Sequence, residues 1–180
     1  MRWIGTQRNL LKKLKMPDLV INTGPIIALA AAMGNLKFLN RIYNQILLPR
    51  EVILELEAGG IDCVELVAIR EASQVFQSVQ TEINLPILLG SQLDRGEASV
   101  IQTAVIHRVA VVAIDEKLGR RFARLHELRV TGSLGILLKA ARAGLVPSLE
   151  TCFQRMNDHG VWISRDLQEL ALKAYYETLN

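Results

Sequence analysis

Four polar residues of this 180-residue sequence stand where they could do chemistry together. Asn22 follows the apolar run 19–21, Asp115 follows a longer β-branched run, and Glu55 and Glu97 lie in stretches with helical apolar spacing. Carboxylates that are brought together repel, and a hard cation held by oxygen ligands offsets that repulsion. Mg²⁺ or Mn²⁺ held by carboxylates and water is the usual arrangement for phosphoryl-transfer and nuclease chemistry. The pattern therefore indicates a candidate metal site.

The elements that must position these residues alternate along the chain. Strands are predicted at 19–21, 45–48, 74–80, 109–114 and 129–131, with residues 109–114 as a central strand. Helices are predicted at 26–33, 49–59, 61–72, 97–108, 118–125, 132–143, 148–157 and 164–179, and a loop at 81–92. This alternation predicts an α/β fold, with a mostly parallel sheet covered by helices on both faces. Functional groups in such folds gather beyond the carboxyl ends of the strands, where these residues are expected.

Each candidate residue also has a structural interpretation. Asp115 could cap the helix that follows it, because Asp is a favoured N-cap residue. Glu97 could only stabilise the positive end of a helix dipole. Glu55, which has two acidic neighbours on its helix, could lie on a solvated face, and Asn22 could be a turn residue that bonds its own backbone. Taken one at a time, these residues leave both interpretations open.

A basic stripe follows Asp115 on the next predicted helix. Its residues recur at helical spacing, on the side opposite Leu118, Phe122 and Leu125: they are Lys117, Arg120, Arg121 and Arg124. The stripe begins beside the candidate metal site and could hold nucleic-acid phosphates. A solvated helix face is the alternative, and Arg121, which borders the apolar side, could instead serve structure. Aromatic residues make up 5% of the chain, which argues against recognition by stacked bases.

Composition limits the class of protein. Half of the residues are hydrophobic, 22% are charged and the mean hydropathy is +0.22, so a packed core is expected and a disordered chain is excluded. The longest apolar run, residues 26–33, is far shorter than the roughly 20 residues of a membrane helix. We see no secretory signal, and the two cysteines are far apart, which favours a reducing cytoplasm.

The net charge of +3 is unevenly distributed. Residues 1–15 contain five basic residues and no acidic residue, whereas the remaining chain has 16 basic and 18 acidic residues. We therefore predict a basic N-terminal extension at 1–15 and a single domain at 16–180. Because the domain itself lacks a strongly basic balance, any nucleic-acid binding must depend on local patches.

Five segments, taken in order, resemble the PIN-domain family. They are VINTGPIIAL (20–29), LPREVILEL (48–56), LDRGEA (93–98), AIDEKLGRRFA (113–123) and VTGSLGIL (130–137), and GVWIS (160–164) extends the match. Their order and spacing are similar to the prokaryotic branch of predicted nucleic-acid-binding proteins and VapC-like toxins, over about residues 18–165. The resemblance implies an α/β/α sandwich and an Mg²⁺- or Mn²⁺-dependent ribonuclease acting on RNA.

The resemblance also assigns roles at the candidate site. Asn22 stands where the family's first catalytic Asp usually stands, and Glu55, Glu97 and Asp115 fall on the other acidic positions, with the metal on Asn22, Glu97 and Asp115. Glu116 is an outer-shell or alternative acid. Thr23 matches a hydroxyl residue that supports the first acid or a metal water, and we place it with Lys117, Arg120 and Arg124 among the residues that contact RNA. The implied partners are RNA, an antitoxin protein and a second copy of the chain.

Asn22 departs from the family pattern. An amide oxygen can coordinate a cation but brings no charge, so the change is expected to weaken the metal site. A catalytically weak PIN-like module that binds RNA or protein is therefore the alternative function. A metal-dependent phosphatase for small molecules is a third class, although the Asp-x-Asp expected after the first strand of a phosphatase with an aspartyl nucleophile is missing.

Overall fold

A five-stranded parallel sheet organises the molecule. The computed structural model describes residues 16–59, 70, 74–79 and 93–178; the predicted extension 1–15, the loop 81–92 and, apart from residue 70, the helix 61–72 lie outside them. The strands are β1 (Leu19–Ile21), β2 (Ile46–Pro49), β3 (Gln77–Val79), β4 (Val111–Ala113) and β5 (Arg129–Thr131). Their order is β3-β2-β1-β4-β5, and every pairing is parallel.

Helices cover both faces of this sheet. They are α1 (Thr23–Met33), a 3₁₀ helix (Lys37–Arg41), α2 (Arg50–Ala58), α3 (Arg95–Ile106), α4 (Lys117–Leu125), α5 (Ser133–Arg142), α6 (Leu149–Asp158) and α7 (Arg165–Tyr176). Helix α3 packs against β1, β2 and β4 with α2 and α4 beside it, and α1 packs with α5 and α6. The predicted three-layer α/β/α fold is confirmed.

The central elements form because their sequences can be buried on all sides. All residues of β1, β2 and β4 are buried, as expected for parallel strands with helices on both faces. Helix α1 is rich in alanine and is buried along most of its length, and it ends where Gly34 adopts a positive φ of 71°. Helix α3 is capped by Asp94, whose side chain accepts a hydrogen bond from Glu97 N at 2.6 Å.

The strand predicted as central, β4, is a buried interior strand that pairs with β1 and β5. Two expectations about side chains were wrong. The apolar spacing of the helix predicted at 97–108 indicates that Val105 faces the core, but Val105 is 50% exposed at the end of α3. Leu118 and Leu125 are 44% and 70% exposed, because α4 packs through its small residues Gly119 and Ala123 instead.

The strand order creates a crevice between β1 and β4. From β1 the chain first builds β2 and β3 on one side and then crosses to build β4 and β5 on the other. In open α/β sheets, ligands bind outside the carboxyl ends of the strands where the order reverses in this way. Asn22 follows β1 directly, and the segment 115–116 begins two residues after the end of β4, so both stand at this reversal point.

Candidate active site

Asn22 is fixed at the end of β1 by its backbone. Its N–H donates to Ala113 O at 3.0 Å, and its carbonyl accepts from Ile26 N in the first turn of α1. The side chain is 3% exposed, and its Oδ1 has no hydrogen-bond partner among the residues described. Because a buried acceptor left unpaired costs about 1–3 kcal/mol, this oxygen is a place where a cation or a water would be stabilised.

Glu97 is the second buried polar group of the site. It lies in the first turn of α3, it is 5% exposed, and its Oε1 is also unpaired within the described part of the chain. Burial raises the pKa of Glu97 to about 7, and the negative charges of Asp94 and Glu116 contribute to this increase. Hydrogen bonds with backbone groups of Asp94 and Gly119 lower the pKa and offset part of the increase. Glu97 therefore exchanges a proton near neutral pH.

Glu55 connects the beginnings of two helices. Its Oε2 accepts from the hydroxyl of Thr23, the first residue of α1, at 2.6 Å, and its Oε1 accepts from Gly96 N in the first turn of α3 at 2.9 Å. The carboxylate thus lies at the positive end of α3, where an anion is favourable. The solvated-face interpretation of Glu55 does not describe its carboxylate.

Asp115 makes a similar contact with a different helix. Its Oδ1 accepts from the backbone N of Ser133, the first residue of α5, at 2.9 Å, and from the Ser133 hydroxyl at 3.3 Å. The capping interpretation of Asp115 thus identified the right kind of contact on the wrong helix. The carboxylate stabilises the start of α5, whereas α4 is the helix that follows Asp115 in sequence.

Glu116 lies on the other side of the crevice. A Cβ added to Gly24, two residues after Asn22, would come within 3.2 Å of Glu116 Oε1. Glu116 occupies the N-cap position of α4, but its side chain makes no capping hydrogen bond there. Its negative charge is one cause of the raised pKa of Glu97. Glu116, predicted only as an outer-shell or alternative acid, is therefore an acid near both Glu97 and the start of α1.

Glycines bring the backbone against each acid of the site. A Cβ would contact Glu116 at Gly24 and would overlap Glu55 at Gly96, Glu97 at Gly119 and Asp115 at Gly132. These glycines, and also Asp94 and Ser133, were not predicted to belong to the site. All of these residues lie within or beside the segments that carry the family resemblance, so each motif supplies an acid or the backbone that an acid contacts.

The predicted basic stripe divides into two kinds of residue. Arg120 is partly buried, and its Nη1 donates to Ile114 O at 2.8 Å and to Thr131 O at 3.1 Å. It therefore ties together the ends of β4 and β5, which is the structural role expected of Arg121. Lys117, Arg121 and Arg124 are exposed.

The oxygens of the site suit a hard cation, although not as a cage of carboxylates. Within residues 16–59, 70, 74–79 and 93–178, no three His, Cys, Asp or Glu side chains form a group that could hold a metal ion. Asn22 Oδ1 and Glu97 Oε1 are nevertheless buried, unpaired oxygens, the donor type that Mg²⁺ and Mn²⁺ prefer. The residues present therefore fit such an ion through an amide, Glu97 and a neighbouring acid.

Comparison of the sequence with known proteins assigns the chain to a family. A family model described as PIN domain matches residues 18–177. No curated protein matches the chain. None of the described helices has the length and apolar character needed to cross a membrane. The chain belongs to the PIN-domain family, which indicates a nuclease-type function and divalent metal ions as the general cofactors of such domains.

Proposed function

We propose that this protein is an Mg²⁺- or Mn²⁺-dependent ribonuclease of PIN type that hydrolyses RNA phosphodiester bonds. The observation that carries the proposal is a pair of buried, unpaired oxygens: Asn22 Oδ1 at the reversal point of the sheet, and Glu97 Oε1 in the first turn of α3, which packs on β1 and β4. A divalent cation bound to them would satisfy both oxygens and would activate water for attack on a phosphodiester.

The residues of the chain divide the remaining tasks. Asn22 and Glu97 bind the cation together with an acid from the segment 115–116. Glu55 fixes the starts of α1 and α3, so that Asn22 and Glu97 keep their relative positions. Because the pKa of Glu97 is about 7, its carboxylate becomes fully available to a cation only above neutral pH.

Exposed basic groups on α4 are the candidates for holding the RNA backbone. Lys117 and Arg124 are solvent-accessible and stand on the helix that begins beside the candidate metal site. A positively charged surface that follows the backbone is a common way to bind single-stranded nucleic acid. Arg120 and Thr23 were also predicted to contact RNA, and each already donates a hydrogen bond within the protein.

RNA cleavage with and without Mn²⁺ tests the proposal. The wild type should cleave only with the metal, and Glu97→Gln should lower the rate by more than the 10- to 100-fold that loss of an outer-shell partner typically costs. Glu57→Gln is the matched control, because Glu57 is an exposed acid on α2. Equal cleavage by wild type and Glu97→Gln would contradict the proposed function.

A second candidate is a catalytically weak module that binds RNA or protein. The amide at position 22 favours it, because Asn22 supplies an oxygen without a charge. We expect Asn22→Asp to tighten Mn²⁺ binding measured by calorimetry, since it adds a carboxylate to a hard-cation site. Unchanged affinity would show that residue 22 is not a ligand. Metal-independent RNA binding by the wild type, without cleavage at any Mn²⁺ concentration, would favour the module.

As a finer proposal, the protein is the cytoplasmic toxin of a toxin–antitoxin pair, neutralised by an antitoxin protein and active as a homodimer. The support is the order of the five PIN-like segments. Induced expression of the wild type should arrest cell growth, whereas cells that express Glu97→Gln at an equal protein level should grow normally. Growth arrest by both the wild type and Glu97→Gln would contradict a toxin that acts through this site. Sedimentation at several concentrations tests the dimer.

A further inference from the structure

We propose that Glu116, and not Asp115, is the carboxylate that joins Glu97 and Asn22 in holding the cation. This inference rests on the proposed function, and it departs from the position-by-position assignment in which Asp115 is a metal ligand. The two acids are adjacent in sequence at the end of β4. Their side chains nevertheless contact different parts of the molecule, and those contacts decide between them.

Asp115 is engaged as a positioning residue. Its Oδ1 accepts hydrogen bonds from both the backbone N and the hydroxyl of Ser133. Gly132 lies so close to the same oxygen that a Cβ there would overlap it. Both bonds end on Oδ1, and moving that oxygen toward a cation would leave the first N–H of α5 without its acceptor and would draw an anion away from the positive end of that helix. The contact therefore fixes the orientation of this carboxylate against α5, and Asp115 could reach a cation only through Oδ2.

The Glu116 side chain has no comparable contact with a helix start. Its side chain is exposed and makes no capping bond to α4, so it can move toward a ligand without losing one. Its Oε1 lies against Gly24, two residues beyond Asn22. Gly119, three residues after Glu116 on the same helix, packs directly on the Glu97 carboxylate. The start of α4 therefore contacts the segment that carries Asn22 and also contacts Glu97.

Two buried, unpaired oxygens are the other donors that would bind the cation together with Glu116. Asn22 and Glu97 are each more than nine-tenths buried, and each has an oxygen without a hydrogen-bond partner in the described chain. An amide, Glu97 and Glu116 would give a cation three oxygen donors and two negative charges. That set suits a hard divalent ion whose remaining positions are filled by water and substrate.

Calorimetric titration of the full-length protein with Mn²⁺ alone tests the assignment. Glu116→Gln should raise the Kd for Mn²⁺ by about tenfold or more, as loss of a ligand or its close support does. Asp115→Asn is the matched control, because it removes the same charge one residue away while its amide oxygen can still accept from Ser133 N. Its Kd should stay within about threefold of the wild type, a difference below 1 kcal/mol.

The possible outcomes separate this inference from the function on which it rests. A larger loss in Asp115→Asn, an equal loss in both variants, or no loss in Glu116→Gln overturns the role of Glu116 while the metal site stands. Absence of Mn²⁺ binding by the wild type instead overturns the proposed function. Thermal melts should show that all variants are folded.

Discussion

Two pairs of acids at the same end of the sheet have opposite surroundings. Glu55 and Asp115 each accept hydrogen bonds from a backbone N–H at the start of a helix. Glu97 is buried with an unpaired oxygen, and the neighbouring Glu116 makes no capping bond to its own helix. The difference teaches that residue type and strand-end position do not define a role. The first pair stabilises the fold, whereas the second has carboxylate oxygens that remain available to a ligand.

The largest expected effect comes from crowding a paired acid. Gly96→Ala would place a Cβ on top of the Glu55 carboxylate, which is fixed by Thr23 and by Gly96 N itself. We expect the free energy of unfolding to fall by about 3 kcal/mol, the upper part of the usual range for overpacking. Urea unfolding followed by circular dichroism measures the change.

Gly59→Ala is the control for this variant. A Cβ there would meet its nearest atom at 3.6 Å, an ordinary contact, and the φ of Gly59 is −67°. Its stability should be unchanged or higher by up to about 1 kcal/mol, because the unfolded chain loses freedom. A Gly96→Ala variant as stable as Gly59→Ala would show that the Glu55 carboxylate is not held rigidly.

Removing a paired acid should have the next largest effect. Asp115→Ala deletes the acceptor of Ser133 N and the anion at the start of α5, and we expect the free energy of unfolding to fall by about 1–2 kcal/mol. Glu169→Ala on α7 removes an exposed acid and should change it by less than about 0.5 kcal/mol. Equal unfolding midpoints would mean that Asp115 does not support α5.

The buried acid Glu97 should make stability depend on pH in a predictable direction. Its pKa is raised from 4.5 to about 7 in the folded protein, so between these values the folded state binds more protons than the unfolded state. Stability should therefore fall as pH rises from about 4.5 to 7, by on the order of 1 kcal/mol once solvent screening is allowed for.

Metal-free urea titrations at pH 5 and pH 8 check this direction. Glu97→Gln should be less sensitive to pH over that interval, because an amide does not titrate. Mn²⁺ should reverse the trend in the wild type, since the cation binds the deprotonated carboxylate and stabilises the folded state above pH 7. If the metal-free wild type became more stable from pH 5 to pH 8, the result would contradict the conclusion that burial and neighbouring negative charges raise the pKa of Glu97.

The sequence predicts the elements better than it predicts the partners of the acids. Apolar runs, Pro25 and Gly34 define β1 and α1 closely, because burial and backbone preferences act locally. The donors to Glu55 and Asp115 come from segments 41 and 18 residues away, so no local pattern reveals them. The exposure of Leu118 was missed for a related reason, since Gly119 allows α4 to approach the core more closely than a larger residue would.

The smallest effect extends the comparison from acids to cations on α4. Arg120 is paired with the ends of β4 and β5, whereas Lys117 and Arg124 are exposed. If the exposed pair contacts RNA phosphates, Lys117→Ala and Arg124→Ala should each reduce the slope of log Kobs against log salt by about 0.7, the value per phosphate contact in single strands. Arg120→Ala should leave that slope unchanged and lower the unfolding midpoint, because its guanidinium bonds the sheet. Filter binding at several salt concentrations, with Arg165→Ala on α7 as control, distinguishes the two kinds of cation; a reduced slope in Arg120→Ala alone would reverse their roles.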